Sequence, residues 1–353
     1  MMLSAGAGFI NQSEKYSRDN AGQSLAKYTV LNKGELAYNH GASKQKPFGC
    51  CYMLTEDSAR IPYVYHCFAI PDNSPSYVAT LLNNRRLERQ LKKLISSSVR
   101  MDGLLNISYD EYMSVDIFLP SLAEQQKIAD FLSLVDERIE KQRQLVEVLK
   151  RYKRGLFLLL FDGKQQNNIL SQIIEYGKAG GTPTSTNKNY YSGTIPFLSI
   201  SDMTAQGKFL RNTEKHISEL GLKNSTAWLV PANSLIISMY ASYGLVSINT
   251  IPITTSQAMF SIIPKDETDT EYLYYYLSYL STTGYYDKMV STGTQANLNA
   301  EKVKNIPIYF PSKEERTKIK VILKTFDEME DAENRKLETL LDIKSGLLQQ
   351  MFI

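Results

Sequence analysis

The side chains of this sequence that could act chemically are cations, hydroxyls and amides rather than nucleophiles. Lys178, Lys188, Lys208, Arg211, Lys215 and Lys223 fall in one stretch. Directly after them, residues 224–264 contain no Asp, Glu, Lys, Arg or His. Ammonium and guanidinium groups bind phosphates without regard to sequence, whereas neutral hydrogen-bonding side chains match base edges. The chemistry on offer is anion binding with hydrogen-bond readout; the plainer alternatives are solvated surface lysines and a sheet core joined by neutral turns. Thr182, Tyr191, Tyr240, Tyr243, Thr294 and Gln295 are the neutral candidates, and Tyr190, Ser256, Gln257 and Asn297 accompany them. Gly180, Gly181, Thr182 and Pro183 form a loop that either brings backbone N–H groups to a ligand or serves as a structural turn.

Earlier in the chain a polar, basic loop, Asn39 to Lys46, lies between two strand-like runs and provides Asn39, Ser43, Lys44 and Lys46. Arg100, flanked by Ser97 and Asn106, precedes a long helical pattern. His40 reads as a loop or buried histidine, with base reading as the alternative. The glycine-rich GKAGGTPTST lacks the GxxxxGK[ST] ending of a phosphate loop, so ATP hydrolysis is not expected of this chain. No serine or cysteine has a credible base. Cys50, Cys51 and Cys67 are odd in number, and His40, His66 and His216 are not at ligand spacing beside them, which predicts reduced thiols and no metal.

These side chains must be positioned by the elements around them, and the strongest pattern is an internal repeat. Residues 120–161 align without a gap on 311–352 at an offset of 191, with 14 of 42 positions identical. Each copy has the periodicity of a long helix with a heptad seam. In the first the seam is Ile128, Leu132, Val135, Ile139, Gln142, Val146, Leu149, Lys153, Leu156 and Leu160. In the second it is Ile319, Leu323, Phe326, Glu330, Glu333, Leu337, Leu340, Lys344, Leu347 and Met351. The polar breaks Gln142/Glu333 and Lys153/Lys344 recur in the same slots, which suits a register or partner device; a snorkelling side chain is the alternative. Ser121 with Glu124, and Ser312 with Glu315, form candidate capping boxes. About 38 helical residues give a rod of roughly 57 Å.

Between and before the helices lie β-rich regions that repeat more faintly at an offset of 200. FINQSEK (9–15) falls on FLRNTEK (209–215), and the strand-like YTVLNKGELAY (28–38) falls on WLVPANSLIIS (228–238). Residues 165–200 have no counterpart in the first half, so the first domain reads as N-terminally shortened. RRLERQLKK (85–93) and Tyr272 to Tyr279 read as packing helices. The 353 residues carry a net charge of +3, which does not by itself announce nucleic acid, though local clustering matters more than the sum. No apolar run approaches a membrane span and no signal peptide is evident, so a cytoplasmic protein is expected.

PSLAEQQKIADFLSLVDERIE with LKRYKRGLFLLLF, the GGTP and YYSGTIPFLSISDM elements, and STGTQANLN ahead of NIPIYFP resemble the DNA specificity subunits of type I restriction-modification systems. The resemblance implies an α+β fold: two β-rich target recognition domains separated by two long antiparallel coiled-coil helices, with a pseudo-two-fold repeat. On that basis residues 1–119 are the shortened first recognition domain, 120–161 the first helix, 162–310 the second recognition domain and 311–353 the second helix. It further implies double-stranded DNA, two methyltransferase subunits and restriction/translocase subunits as partners, with no membrane. No cofactor is expected in this chain; S-adenosylmethionine, ATP and Mg would belong to the partners. No Asn/Asp-Pro-Pro-aromatic tetrapeptide of the adenine methyltransferases is present. Two other readings are a silent or truncated specificity cassette and a coiled-coil adaptor that does not bind nucleic acid.

Overall fold

The computed structural model describes residues 1–15, 27–44, 46–95, 104–240, 242–290 and 297–352. They form two compact units: residues 1–143 with 335–353, and residues 144–334. The two breaks, after Arg143 and after Asn334, are themselves 191 residues apart, the offset of the repeat. Each unit therefore holds one β-rich domain, the first half of one long helix and the second half of the other.

Those helices run Leu122–Phe161 and Lys313–Met351. The first opens on the expected capping box, with Ser121 Oγ donating to Glu124 Oε2 at 2.7 Å and the Glu124 N–H donating to Ser121 Oγ. All ten seam slots of each helix are buried or half-buried, and from Gln126 to Leu156 every residue off the first seam is exposed except Ala129. In the first unit, Ile128 and Leu132 pack in one cluster with Leu348, Met351 and Phe352. In the second, Phe157 and Phe161 share a cluster with Leu323 and Ile319. Numbers rise along one helix as they fall along the other, so the pairing is antiparallel in each unit.

The second unit is built on a five-stranded sheet in the order Phe209–Leu210, Val246–Asn249, Leu235–Ser238, Met259–Pro264, Ile174–Ala179. The first pair is parallel and the rest antiparallel. Alternation explains its apolar run: Leu235 and Ile237 face the tyrosine-rich helix Thr270–Thr282, while Ile236 faces a separate cluster with Leu198, Met203 and Met259. A sheet covered on both faces needs no charge along its central strands. Most of the neutral segment 224–264 is thus core. Its hydroxyls and amides bond inward: Ser247 Oγ donates to Gly207 O, Asn249 Nδ2 to Pro231 O, and Thr254 Oγ1 to Pro196 O. A three-stranded sheet, Lys215–Ile217, Ile195–Leu198 and Thr254–Thr255, lies beside it.

In the first unit the strand-like 28–38 is two strands, Thr29–Asn32 and Leu36–Asn39, parted at Gly34, whose φ of 86° suits glycine. The two strands join different sheets, the first pairing with Ser58–Ile61 and the second with Cys50–Met53 and His66–Phe68. Asn233, φ 63°, makes the corresponding break in the second unit. The helices expected at 85–93 and 272–279 are found at Arg85–Leu94 and Thr270–Thr282.

Candidate nucleic-acid interface

One loop cluster of the second unit gathers several of the candidates. The strand Ile174–Ala179, carrying exposed Lys178, leads into Gly180 and Gly181. The Gly180 N–H donates to Met259 O at 3.1 Å and the Gly181 N–H to Thr255 O at 2.9 Å. A Cβ on Gly180 would collide with the Thr255 carbonyl, and one on Gly181 with Thr226 Oγ1. Of the two sequence readings, the structural turn therefore describes these glycines: their amides are committed within the protein. What they present is Thr182, exposed and hydrogen-bonded through Oγ1 to Gln257 Oε1.

The same loop continues to Lys188 on the 3-10 turn Lys188–Tyr191. Tyr191 OH donates to Pro183 O at 2.7 Å, and its ring meets Phe197 edge-on. Ser218, just after the strand Lys215–Ile217, fixes the turn, its N–H donating to Tyr190 O and its Oγ to Asn189 O. Lys215, exposed, is in register with Phe197. Thr182, Gln257, Lys188 and Lys215 are therefore carried by segments that brace one another, with Lys178 at the base of the loop.

Other candidates lie elsewhere. Arg211 is exposed, with its guanidinium 5.9 Å from the Phe209 ring centre. Tyr240 is exposed on the turn after Leu235–Ser238, and Tyr243 OH donates to Asp287 Oδ1 at 2.6 Å. Thr294, Gln295, Ser97 and Arg100 lie outside the described residues. Lys208 departs from the expected phosphate role. Its side chain is 13% exposed, and its Nζ lies 3.0 Å from Asp327 and 3.2 Å from Glu271 and donates to Tyr275 OH at 2.7 Å. That ammonium is neutralised inside the protein.

In the first unit, Asn39 is tied down, Oδ1 accepting from the Gly41 N–H and Nδ2 donating to Leu3 O. Ser43 and Lys44 are exposed, while Lys46 Nζ donates to Asn83 O at 3.0 Å. Asn39, Ser43 and Lys44 line a cavity of about 440 Å³. His40 is buried among rings, 5.0 Å from His66 and 6.4 Å from Tyr38. Burial pushes the Cys50 and Cys67 thiols up to about 11, which keeps both in the unreactive neutral form.

The seam holds ionic contacts that periodicity alone did not pair. Lys153 Nζ lies 2.6 Å from Asp327 Oδ1 and 3.4 Å from Glu330; Lys344 Nζ lies 2.5 Å from Asp136 Oδ1. Burial works against the Lys153 ammonium, but Asp327 and Glu330 outweigh it and hold its pKa above the ordinary lysine value. Burial likewise disfavours the Asp327 carboxylate, yet Lys153, Tyr275 and Lys208 keep its pKa below the usual range. The signal was available: both acids and both lysines are identical between the copies.

Comparisons with known proteins converge on one family. The family model for the type I restriction modification DNA specificity domain matches residues 166–341. The chain belongs to that family. Its relatives include the type I restriction enzyme HindI specificity subunit of Haemophilus influenzae, 25% identical over 400 residues, spanning 89% of this chain and 85% of the relative. The MjaIX specificity subunit of Methanocaldococcus jannaschii is 30% identical over 187 residues, 52% of this chain and 43% of that one. Among solved structures, the S subunit of a type I system from M. genitalium superposes with a TM-score of 0.54 at 17% identity, covering 93% of this chain and 85% of that one. A chain from a type I R-M system studied for complex assembly and conformational transition gives 0.56 at 15% identity, covering 92% and 83%. This specificity subunit thus confers DNA sequence specificity in a restriction-modification complex. Among its described residues no helix is long and apolar enough to cross a membrane.

Proposed function

We propose that this specificity subunit reads a bipartite target in double-stranded DNA, one part with each β-rich domain, and directs adenine methylation and restriction by partner subunits. The observation that carries the reading is the repeat: two β-rich domains, each continuing into an equivalent long helix, supply two readers of similar build. In the second domain, Lys178, Lys188, Lys215 and Arg211 contact phosphates for register. Thr182, Gln257 and Tyr240 face base edges, where neutral donors and acceptors discriminate. Lys44 and Ser43 do the same work in the first domain.

The chain itself is non-catalytic, and S-adenosylmethionine, ATP and Mg are held by two methyltransferase subunits and the restriction/translocase subunits. Exposed apolar side chains off the seam support docking of the methyltransferases on the long helices. Phe131 and Leu134 in the first unit, and Leu145, Tyr152 and Leu159 in the second, recur at heptad-compatible intervals on the first helix. The test is a gel shift with the cognate methyltransferase across a random DNA pool, together with methylome sequencing of the host with and without the gene. Enrichment of a split motif whose adenine methylation depends on the gene is expected. Binding without sequence preference, or an unchanged methylome, refutes the reading and leaves a silent cassette or an adaptor.

A further inference from the structure

In the second unit the helix Ile200–Gln206 carries two polar side chains one turn apart, Asp202 and Gln206, and both hold the segment that follows the strand Phe209–Leu210. Asp202 is buried; its Oδ2 accepts from the Ser199 N–H at 2.8 Å and its Oδ1 from the Glu214 N–H at 3.1 Å. Gln206 grips the backbone of Arg211 and Asn212. Its Oε1 accepts from their N–H groups at 2.8 and 3.3 Å, and its Nε2 donates to Asn212 O at 2.9 Å. Thr213 turns inward, Oγ1 donating to Lys215 O at 2.7 Å. The backbone from Arg211 to Glu214 is thus clamped, while the side chains of Arg211, Asn212 and Lys215 stay exposed. Among the described residues the Asn212 side-chain amide has no hydrogen-bond partner.

The first unit is built otherwise at the same place. In the alignment that sets FINQSEK on FLRNTEK, Met2 and Gly6 stand where Asp202 and Gln206 do, and neither carries a carboxylate or an amide. The aligned segment is the short helix Gln12–Lys15. Gln12, in the place of Asn212, is half-buried, and its Nε2 donates to Tyr28 OH at 3.2 Å. Clamp and presented amide occur together in the second unit, and the first has neither.

We propose that Asn212 reads an adenine in the major groove, with Asp202 and Gln206 as its positioning residues; this rests on the reading of the second unit as a DNA reader. The side chain offers the pair of groups that adenine matches: Nδ2 donates to N7, and Oδ1 accepts from the N6 amino group. Its setting suits the task. Arg211 and Lys215 flank it with cations for phosphates, and Lys215 belongs to the loop cluster that holds Thr182 and Lys188. With the backbone on both sides of the amide group already fixed, little further freedom is lost on binding, which is the use of a clamp beneath a base contact.

The test is selection from a random DNA pool by the complex assembled with the cognate methyltransferase, for the wild-type chain, Asn212→Ala and Gln206→Met, with the bound DNA sequenced. The wild type should select a motif with a fixed A·T pair in one of its parts. Asn212→Ala should keep the rest of the motif and lose discrimination at that pair by about tenfold or more, the worth of one bidentate base contact. Gln206→Met should relax the same pair, because it frees the backbone beneath Asn212; a merely structural loss would weaken binding to all sequences alike. Asn212→Ala alters an exposed side chain and leaves the clamp bonds in place, so it carries the test alone should Gln206→Met fail to fold. An unchanged motif in Asn212→Ala, relaxation at a G·C pair, or a folded Gln206→Met that leaves the A·T pair fixed overturns the proposal. A wild-type pool without any motif overturns the DNA reading itself and this assignment with it.

Discussion

Lys153 and Asp327 meet at 2.6 Å across the antiparallel helix pair of the second unit, and their repeat equivalents Lys344 and Asp136 meet at 2.5 Å in the first. Each lysine finds the acid of the other copy, because the aspartate and the lysine hold the same slots in both copies of the repeat and the helices pair antiparallel. The two pairs differ in surroundings: Asp327 also holds Lys208 and Tyr275, whereas Asp136 borders an open cavity.

That difference sets an energetic asymmetry. Removing one partner of a buried ionic group strands the others and costs roughly 3–5 kcal/mol, whereas an exposed pair contributes about 0.2–1 kcal/mol. Asp327→Ala should lower the urea unfolding free energy by about 3 kcal/mol and Asp136→Ala by less than about 1 kcal/mol. Equal losses would refute the assignment of Asp327 as the hub.

The acid response follows from the same carboxylate. Its folded pKa lies below the unfolded value, so its stabilisation is complete above the ordinary Asp value near 3.9 and is lost as pH falls through the folded value. The Lys153 ammonium, with a raised pKa, loses its contribution only as pH rises through that raised value. Thermal midpoints measured from pH 7 down to pH 2 should fall less steeply for Asp327→Asn than for the wild type.

Phosphate binding has a salt signature. Lys188→Glu and Lys215→Glu should each weaken DNA binding by the methyltransferase complex and reduce the slope of log K against log salt by about 0.9 for each phosphate that is no longer neutralised. An unchanged slope would remove that lysine from the interface. Lys208→Glu should instead destabilise the second unit, because it sets a carboxylate against Asp327 and Glu271.

The seam itself can be tested by charge. Leu149 is buried and Leu340 half-buried, and a carboxylate at either slot has no partner for its desolvated charge. Leu149→Asp and Leu340→Asp should abolish co-purification with the methyltransferase subunit. Normal recovery of the complex from both variants would show that the seam does not govern assembly.

The loop glycines give a steric prediction. Gly181→Ala has no room beside Thr226, so the Thr182 side chain should lose its place against Gln257. DNA affinity should drop at least tenfold while the urea midpoint of the helix pair changes little, read by binding and unfolding on the same preparation.

Periodicity and duplication alone determined the two long helices and their seams; their antiparallel pairing was implied only by the resemblance to specificity subunits, and the contacts between the helices bear it out. A heptad writes its buried face into consecutive residues, and a repeat reveals itself by comparison with its own copy. Which polar groups remain for a ligand was settled only by the fold. Lys208 looked like its neighbours Arg211 and Lys215, yet its ammonium meets Asp327, 119 residues away in sequence. The amides of Gly180 and Gly181 and the hydroxyls of Ser247 and Thr254 are used up by carbonyls on other segments. Burial and hydrogen-bond partners depend on contacts between distant parts of the chain, which no local pattern encodes.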